Sequence, residues 1–308
     1  MKRVFRLQPE YLPLILVGTV FCIGVLVLPG LHQSWLMPSI LKNSAYNGVI
    51  ALGLMPVMIC GDVDLSVGAQ MTFYNVLCAA FLRGGLALPV AILLTLLTAV
   101  VVGCIQGAVV ARLRLSSILV TIATTMILLG FSSALNRGVT IYNLPKALMD
   151  LGDVKVLGLS MPAVVWFVAA ILMSLVLYQT YWGRFFYAVG HNESAASKAG
   201  VPIMQTKMIA FALTGLFCAC SGITYISQLG FAPLSNGQDV MHSALTIAAL
   251  GGVSFTGGRG KVILVLLGGL MVGALTAFFS VIQVPVYYQN CIKGAILFAA
   301  IFTNISKS

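Results

Sequence analysis

The chain has 308 residues, of which 60% are hydrophobic and 8% are charged, and its mean hydropathy is +1.04. This composition excludes an ordinary water-soluble fold. Since a bilayer-spanning helix takes about 20 apolar residues, it predicts an all-helical polytopic membrane protein without a separate soluble domain. The net charge of +10 comes from Lys and Arg scattered between apolar stretches, so it does not indicate nucleic-acid binding.

Charge-free intervals mark the predicted spans, because an ionisable side chain at the bilayer centre costs about 2.5 to 3.5 kcal/mol on insertion scales. Ten such intervals predict about ten transmembrane helices in a single domain that covers residues 1–308. The intervals are 11–41, 43–61, 65–82, 84–111, 115–136, 156–183, 208–238, 240–258, 262–292 and 294–306.

The positive charges set the predicted orientation. With the N-terminus inside, eleven Lys and Arg residues lie in cytoplasmic segments and five lie in outer loops, as the positive-inside rule requires. An even number of spans then returns the C-terminus to the cytoplasm. The apolar stretch 11–28 is longer than the apolar core of a signal peptide, about 7 to 15 residues, so we predict an uncleaved first span.

A glycine break separates the second and third spans at GDVDLSVG, residues 61–68. Two interpretations apply to its acidic residues Asp62 and Asp64. They form a proton or cation relay, or a carboxylate caps the N-terminus of a half-helix that starts near Leu65. We favour the cap, because a relay predicts further acidic residues in the other spans and because Ser66 reinforces the turn.

Neutral polar side chains lie within the predicted spans. Most of them are expected to form interhelical hydrogen bonds, worth about 0.6 kcal/mol each. A pathway lined by amides and hydroxyls suits a neutral, polyhydroxylated solute better than an ion. We assign Gln70, Asn75 and Gln228 to such a pathway.

Two connecting loops are long enough to hold structure. The outer loop, about 137–160, is broken by Pro and Gly into pieces too short to span. The inner loop, about 183–206, predicts about two turns of cytosolic helix, either a plain connector or a docking element held by a partner. Its signals are Asn192 at the N-cap, Glu193 in the first turn, the small residues Ala195 and Ala196, and Gly200 at C′.

The chain repeats the glycine break at GGVSFTGG, residues 251–258. Both segments have Gly at the first and eighth positions, Val at the third, a polar residue at the fourth and a hydroxyl at the sixth. We interpret them as corresponding helix breaks in two related halves, with chance similarity of two glycine-rich turns as the alternative. The predicted gate residues are Gly61, Asp64, Ser66, Gly68, Gly251, Gly252, Gly257 and Gly258.

No residue pattern indicates catalysis or metal binding. TGGRGK, residues 256–261, does not fit a phosphate-binding loop, because Phe255 and Val262 stand where that motif needs Gly and Ser or Thr. The three histidines lack metal-ligand spacing. We therefore predict no catalytic residue, metal or cofactor in this chain, and expect any ATP to be used by a partner subunit.

Three segments carry a family resemblance: GDVDLSVG, GHNESAASKAGV at residues 190–201 and LGGVSFTGGRGKV at residues 250–262. From about Asn43 to Phe302 the chain resembles the permease subunits of bacterial ATP-binding-cassette importers for monosaccharides, of the ribose, xylose, arabinose and galactose type. The family patterns are GGIDLSVG, G-N-N-x-x-A-A-x-x-S-G-I and G-G-x-S-x-x-G-G-x-G. The chain departs from them at Asp62, where Gly is usual, and at Ser116 and Ser117, which replace Pro-Phe.

The resemblance implies a non-catalytic translocation subunit in the bacterial inner membrane. It implies a dimer of identical or related permease chains, cytoplasmic ATP-binding subunits and a periplasmic solute-binding protein. It also implies that the helix at Asn192 to Ala199 is the coupling helix that docks on the ATPase. The expected solute is a small hydroxylated molecule, first of all a monosaccharide. An ion-coupled secondary transporter of a small polar solute is the alternative, because broken helices are equally expected there.

Overall fold

A computed structural model describes residues 18, 36–234 and 237–305 of the chain. Most of the predicted first span, residues 11–17 and 19–35, and both termini lie outside these residues. The described part contains twelve helices and one β-hairpin. They are α1 Leu36–Ile59, α2 Val67–Arg83, α3 Leu88–Leu113, α4 Ser117–Leu135, α5 Lys146–Asp153, β1 Lys155–Val156, β2 Leu159–Ser160, α6 Met161–Gln179, α7 Tyr181–His191, α8 Glu193–Lys198, α9 Ile203–Leu229, α10 Gly237–Leu250, α11 Val262–Val281 and α12 Val286–Ile305.

The helices follow the charge-free intervals. Each of the nine predicted intervals from residue 43 onward contains most of one helix. The predicted bounds are wrong where a helix runs across a charged residue, as α1 does at Lys42, α9 at Lys207, α10 at Asp239 and α12 at Lys293. Five of these helices, α3, α4, α6, α9 and α11, are long and apolar enough to cross a membrane. The predicted polytopic, mostly helical architecture is thus confirmed, while the full count of ten spans stays a prediction.

Helix α9 lies at the centre of the bundle. It packs along α1, α2 and α3, and α1 in turn contacts α6, α10 and α11. By contrast, α3, α4 and α6 expose apolar side chains such as Leu97, Met126 and Ile171. Such exposed apolar faces suit contact with lipid or with another membrane-spanning helix.

Small residues set the contact between α3 and α9. A Cβ atom added at Gly107 of α3 would lie 2.5 Å from the Cα atom of Met208 in α9, and one at Gly103 would overlap the carbonyl of Phe211. Both glycines face the same helix because they are four residues apart. The backbones of α3 and α9 can therefore approach without intervening side chains.

The outer loop holds only short elements, as predicted. It forms α5 and the antiparallel hairpin β1–β2, and Ile141 bridges to Ala232 in the segment after α9. Helix α5 packs on the end of α9, where Gln228 Nε2 donates to the carbonyl oxygen of Gly152. The loop thus covers one end of the bundle.

The predicted span 240–258 is wrong in its bounds. Helix α10 covers Gly237–Leu250, and residues 251–258 form the second break. Fourteen residues extend about 21 Å, less than the hydrocarbon thickness of about 30 Å. An absence of charge cannot reveal where glycines end a helix, so the interval was too long. The start of α10 touches the start of α2, because a Cβ at Gly68 would overlap the carbonyl of Gly237.

Candidate functional site at the two helix breaks

The first break begins with a glycine helix end. The N–H of Gly61 donates to Met58 O over 2.9 Å, and the N–H of Asp62 donates to Val57 O over 3.1 Å. This is the Schellman pattern, and it requires the left-handed backbone that Gly61 adopts at φ +86°. Residues 62–65 then lead the chain to Ser66, whose carbonyl oxygen accepts the first helical hydrogen bond of α2, from the N–H of Gln70.

Two hydroxyls of α4 hold this connecting segment. The N–H of Val63 donates to Ser117 Oγ over 3.1 Å, and the N–H of Leu65 donates to Thr121 Oγ1 over 3.2 Å. Half-buried backbone donors of this kind need partners, and the two hydroxyls supply them. Sequence reasoning noted Ser117 only as a departure from the family and did not predict this contact.

Asp64 is fully buried and is surrounded by uncharged donors. Its Oδ1 accepts from the N–H of Ser66 over 2.8 Å and from Ser66 Oγ over 2.5 Å, and its Oδ2 accepts from Gln70 Nε2 over 2.9 Å. Gln106 of α3 donates to Ser66 Oγ over 2.8 Å. The carboxylate therefore closes the turn before α2. The expected cap differs in detail, since α2 begins at Val67, not near Leu65.

The three residues assigned to a pathway make internal contacts. Gln70 Nε2 lies 3.2 Å from Gln106 Oε1, and Asn75 is buried against Gly222 of α9. Gln228 donates to the outer loop. In this conformation their polar groups bind protein atoms, and their role in a pathway stays a prediction.

The second break repeats the local geometry of the first. The N–H of Gly252 donates to Ala249 O and the N–H of Val253 donates to Ala248 O, both over 3.0 Å, with Gly252 at φ +68°. The N–H of Thr256 then donates to Ser254 Oγ over 3.2 Å, as that of Ser66 donates to Asp64. The helix end is shifted by one residue between the two segments. The similarity is local, and a repeat of whole halves stays a prediction.

Glycine backbones bring both breaks and α7 into contact. The N–H of Gly258 donates to Ile59 O over 2.8 Å. A Cβ at Gly257 would lie 3.0 Å from Gly61 Cα and 2.8 Å from Gly190 O, and a Cβ at Gly190 would overlap Ile59 O. We call Gly61, Gly190, Gly257 and Gly258 the glycine junction. Gly190 was missed as a site residue, although a glycine inside a helix is a signal of close packing.

The short polar helix forms as the sequence predicts. Asn192 Oδ1 accepts from the N–H of Ala195 over 2.9 Å, which confirms the N-cap. At the other end, Gly200 has φ +84° and its N–H donates to Ser197 O over 3.1 Å, which confirms the glycine end. Within α8 only Ala196 is buried. The other side chains of this helix are exposed.

A bridge of three charged residues joins this helix to the first break. Lys207 Nζ, at the start of α9, lies 3.0 Å from Asp62 Oδ2 and 3.0 Å from Glu193 Oε2. The side chains of Lys207 and Asp62 are 9% and 12% exposed, so this pair is shielded from water, whereas Glu193 is half exposed. We call this arrangement the Asp62–Lys207–Glu193 bridge. Asp62, a departure from the family pattern, thus has a specific partner.

Helix α7 is tied to the second break by Tyr187. Its hydroxyl donates to Gly260 O over 2.7 Å, and burial raises the pKa of this phenol to about 12. The hydroxyl thus remains a donor at neutral pH. Tyr187 thus ties α7 to the backbone just after the second break by a hydrogen bond. Glu193 ties α8 to the first break through the ion pairs of Lys207.

Comparison with known proteins gives one family. Residues 36–301 match the family described as the permease component of branched-chain amino acid transport systems. The chain is similar to the autoinducer 2 import system permease protein of Salmonella typhimurium, with 34% identity over 81% of this chain and 72% of that protein. It is also similar to the ribose import permease protein of Bacillus subtilis, with 30% identity over 92% of this chain and 90% of that protein. No solved structure matches the chain significantly.

Proposed function

Because the chain belongs to this family of transport permease components, we propose that it is the translocation subunit of an ATP-driven importer in the bacterial inner membrane. It is a transport protein and not an enzyme, and ATP is hydrolysed on a separate subunit. The solute is small and hydroxylated, of the monosaccharide class. The relatives named for ribose and for autoinducer 2 support this choice.

The observation that carries the mechanism is the Asp62–Lys207–Glu193 bridge. Helix α8 exposes most of its surface, yet its first residue shares a lysine with the loop of the first break. We assign α8 to the groove of the ATP-binding subunit, with Asn192, Glu193, Ala195, Ala196 and Gly200 forming the coupling element. A shift of α8 then acts on Lys207 and, through it, on Asp62 and α9.

The glycine junction serves as the cytoplasmic gate in this mechanism. Its contacts are backbone to backbone, so a small displacement separates or closes them without rearranging side chains. We assign Gly61, Asp64, Ser66 and Gly68 of the first break to one side of this gate, and Gly251, Gly252, Gly257 and Gly258 of the second break to the other. Alternating access results when the ATPase favours one of two arrangements of this junction.

The proposed assembly contains more than this chain. It consists of two permease chains, identical or related, with ATP-binding subunits inside and a periplasmic solute-binding protein outside. Each permease has about ten spans with both termini in the cytoplasm, and binds no cofactor of its own. The eleven-to-five distribution of Lys and Arg supports this orientation.

Affinity purification of the tagged chain in mild detergent tests the proposal. Mass spectrometry of the eluate should identify an ATP-binding-cassette subunit in stoichiometric amount, and the eluate should hydrolyse ATP faster when the solute-binding protein and solute are added. A stable assembly of this chain alone, with uptake abolished by an uncoupler at constant ATP, would contradict it and establish an ion-coupled carrier.

A further inference from the structure

A cavity with both polar and apolar lining lies between α10 and α12, away from the two breaks. Its volume is about 290 Å³, close to the lower end of small-molecule sites at about 300 Å³. Six polar side chains line it: Gln238, Asp239, His242, Thr246, Asn290 and Lys293. We propose that this cavity binds the transported solute inside the membrane, as a site for a neutral polyhydroxylated molecule.

In the proposed topology, with the two breaks at the cytoplasmic face, helix lengths place the cavity at membrane depth. Helix α10 extends about 21 Å, and the break at its end contacts the end of α1 through Gly258 and Ile59. Its first turn is thus about two-thirds of the way across a hydrocarbon layer of about 30 Å. Asn290 and Lys293 lie four and seven residues into α12, about 6 and 10 Å from its start.

Charged groups at this depth need water or protein around them. Asp239 and Asn290 are exposed and linked by a hydrogen bond of 3.0 Å from Asn290 Nδ2 to Asp239 Oδ1, and Lys293 is half-buried beside them. Ionisable residues in membrane segments face the bundle interior or a water-filled cavity and mark solute pathways. These side chains are therefore expected to face water or protein and not lipid.

The lining matches the hydrogen bonding of a sugar. Each hydroxyl of a sugar both donates and accepts, and the cavity offers a carboxylate that accepts, an ammonium that donates, and two amides that do both. Thr246 Oγ1 already donates to His242 O over 2.7 Å, which leaves its oxygen free to accept. Asp239 and Lys293 cancel in charge, so the cavity has no net preference for an anion or a cation.

A second cavity lies beside this site, near the first break. It has a volume of about 210 Å³ and lies between α2, α4 and α10, with Leu65, Gly68 and Thr125 in its lining. Gln238 lines both cavities. A solute bound between α10 and α12 therefore has an adjacent space that reaches the start of α2, next to the proposed gate.

This inference rests on the proposed function, but its test does not need the ATPase. His242 and Gln238 are replaced by Cys, one at a time, in the otherwise cysteine-free full chain in membrane vesicles. The matched control is Ile122→Cys, on the exposed apolar face of α4. A membrane-impermeant methanethiosulfonate should label His242→Cys at least ten times faster than Ile122→Cys, and millimolar D-ribose or autoinducer 2 should slow this labelling at least threefold.

Each outcome decides a separate point. Labelling of His242→Cys as slow as that of Ile122→Cys would show that the cavity is not water-filled and would overturn the inference. Rapid labelling that neither D-ribose nor autoinducer 2 slows would overturn the assignment as a solute site. Neither result would affect the co-purification of an ATP-binding subunit, which tests the proposed function by itself.

Discussion

Lys207 Nζ lies 3.0 Å from Asp62 Oδ2, although the two residues are 145 positions apart in the chain. The contact connects the first break to α8, because the same ammonium lies 3.0 Å from Glu193 Oε2. One lysine thereby connects an exposed helix, the loop of the first break and the central helix α9. Coupling between ATPase and gate needs such a connected path, and here three side chains supply it.

Replacing Lys207 by Met should uncouple and destabilise the protein. The substitution keeps the length of the side chain but leaves Asp62 buried without its partner, and breaking a buried pair in this way costs about 3 to 5 kcal/mol. We expect a lower melting temperature in detergent and loss of solute-driven ATP hydrolysis. Lys198→Met, on exposed α8, is the control and should change stability little. Asp62→Asn combined with Lys207→Met should recover much of the stability, and failure of that recovery would contradict the pairing.

Replacing Gly190 by Ala should disrupt the glycine junction. The added methyl group would overlap Ile59 O and approach within 2.5 Å of Gly258 N, so the junction must open. We expect uptake to fall at least tenfold in the assembled transporter, with a lower melting temperature. Gly130→Ala in α4 is the control, because a Cβ there meets nothing within 4 Å. Normal uptake by Gly190→Ala would show that the close contact is dispensable.

Replacing Asn192 by Ala should weaken the proposed coupling helix. Loss of an N-cap costs about 1 kcal/mol, which is large for a helix of six residues. Solute-stimulated ATP hydrolysis should drop while basal hydrolysis by the ATP-binding subunit persists. Asn192→Asp retains an acceptor for the N–H of Ala195 and should restore coupling. Equal activity of the Ala and Asp variants would show that the Asn192 cap is not needed for coupling.

Replacing Ser117 by Ala should destabilise the first break. The N–H of Val63 would lose its acceptor, and an unsatisfied buried donor costs about 1 to 3 kcal/mol. Thermal unfolding in detergent should show the loss. The neighbouring Ser116 is exposed and makes no side-chain capping bond, so Ser116→Ala should leave the melting temperature unchanged. Equal effects of the two substitutions would mean that the hydroxyl of Ser117 does not hold the segment.

Local rules predicted the parts of the site that depend on neighbours in sequence. Asn192 and Gly200 confirm the expected ends of α8, because capping involves residues only a few positions apart. The Schellman ends at Gly61 and Gly252 follow from the same short-range chemistry. These features can be predicted because Gly just after a helix and Asn just before one are typical capping residues.

Contacts between residues far apart in the chain could not be predicted from one sequence. The partners of Asp62 and of Val63 lie on α9 and α4, and no local pattern relates these positions. The length of α10 was also misjudged, because an apolar interval continues through the glycines that end the helix. Tertiary packing decides these features, and only the fold brings Lys207, Ser117 and Gly190 to the breaks.

Cross-linking from α8 tests whether this helix docks on the ATP-binding subunit. Ala195→Cys, on the exposed side of the helix, is introduced into the otherwise cysteine-free chain purified with its partners, and a short bifunctional maleimide is added. The control is Leu157→Cys in the outer loop, where the side chain is 97% exposed. We expect Ala195→Cys alone to form a covalent adduct with the ATP-binding subunit. The yield of this adduct should change when ATP is bound. An adduct in equal yield from Leu157→Cys, or none from Ala195→Cys in an active complex, would contradict this docking.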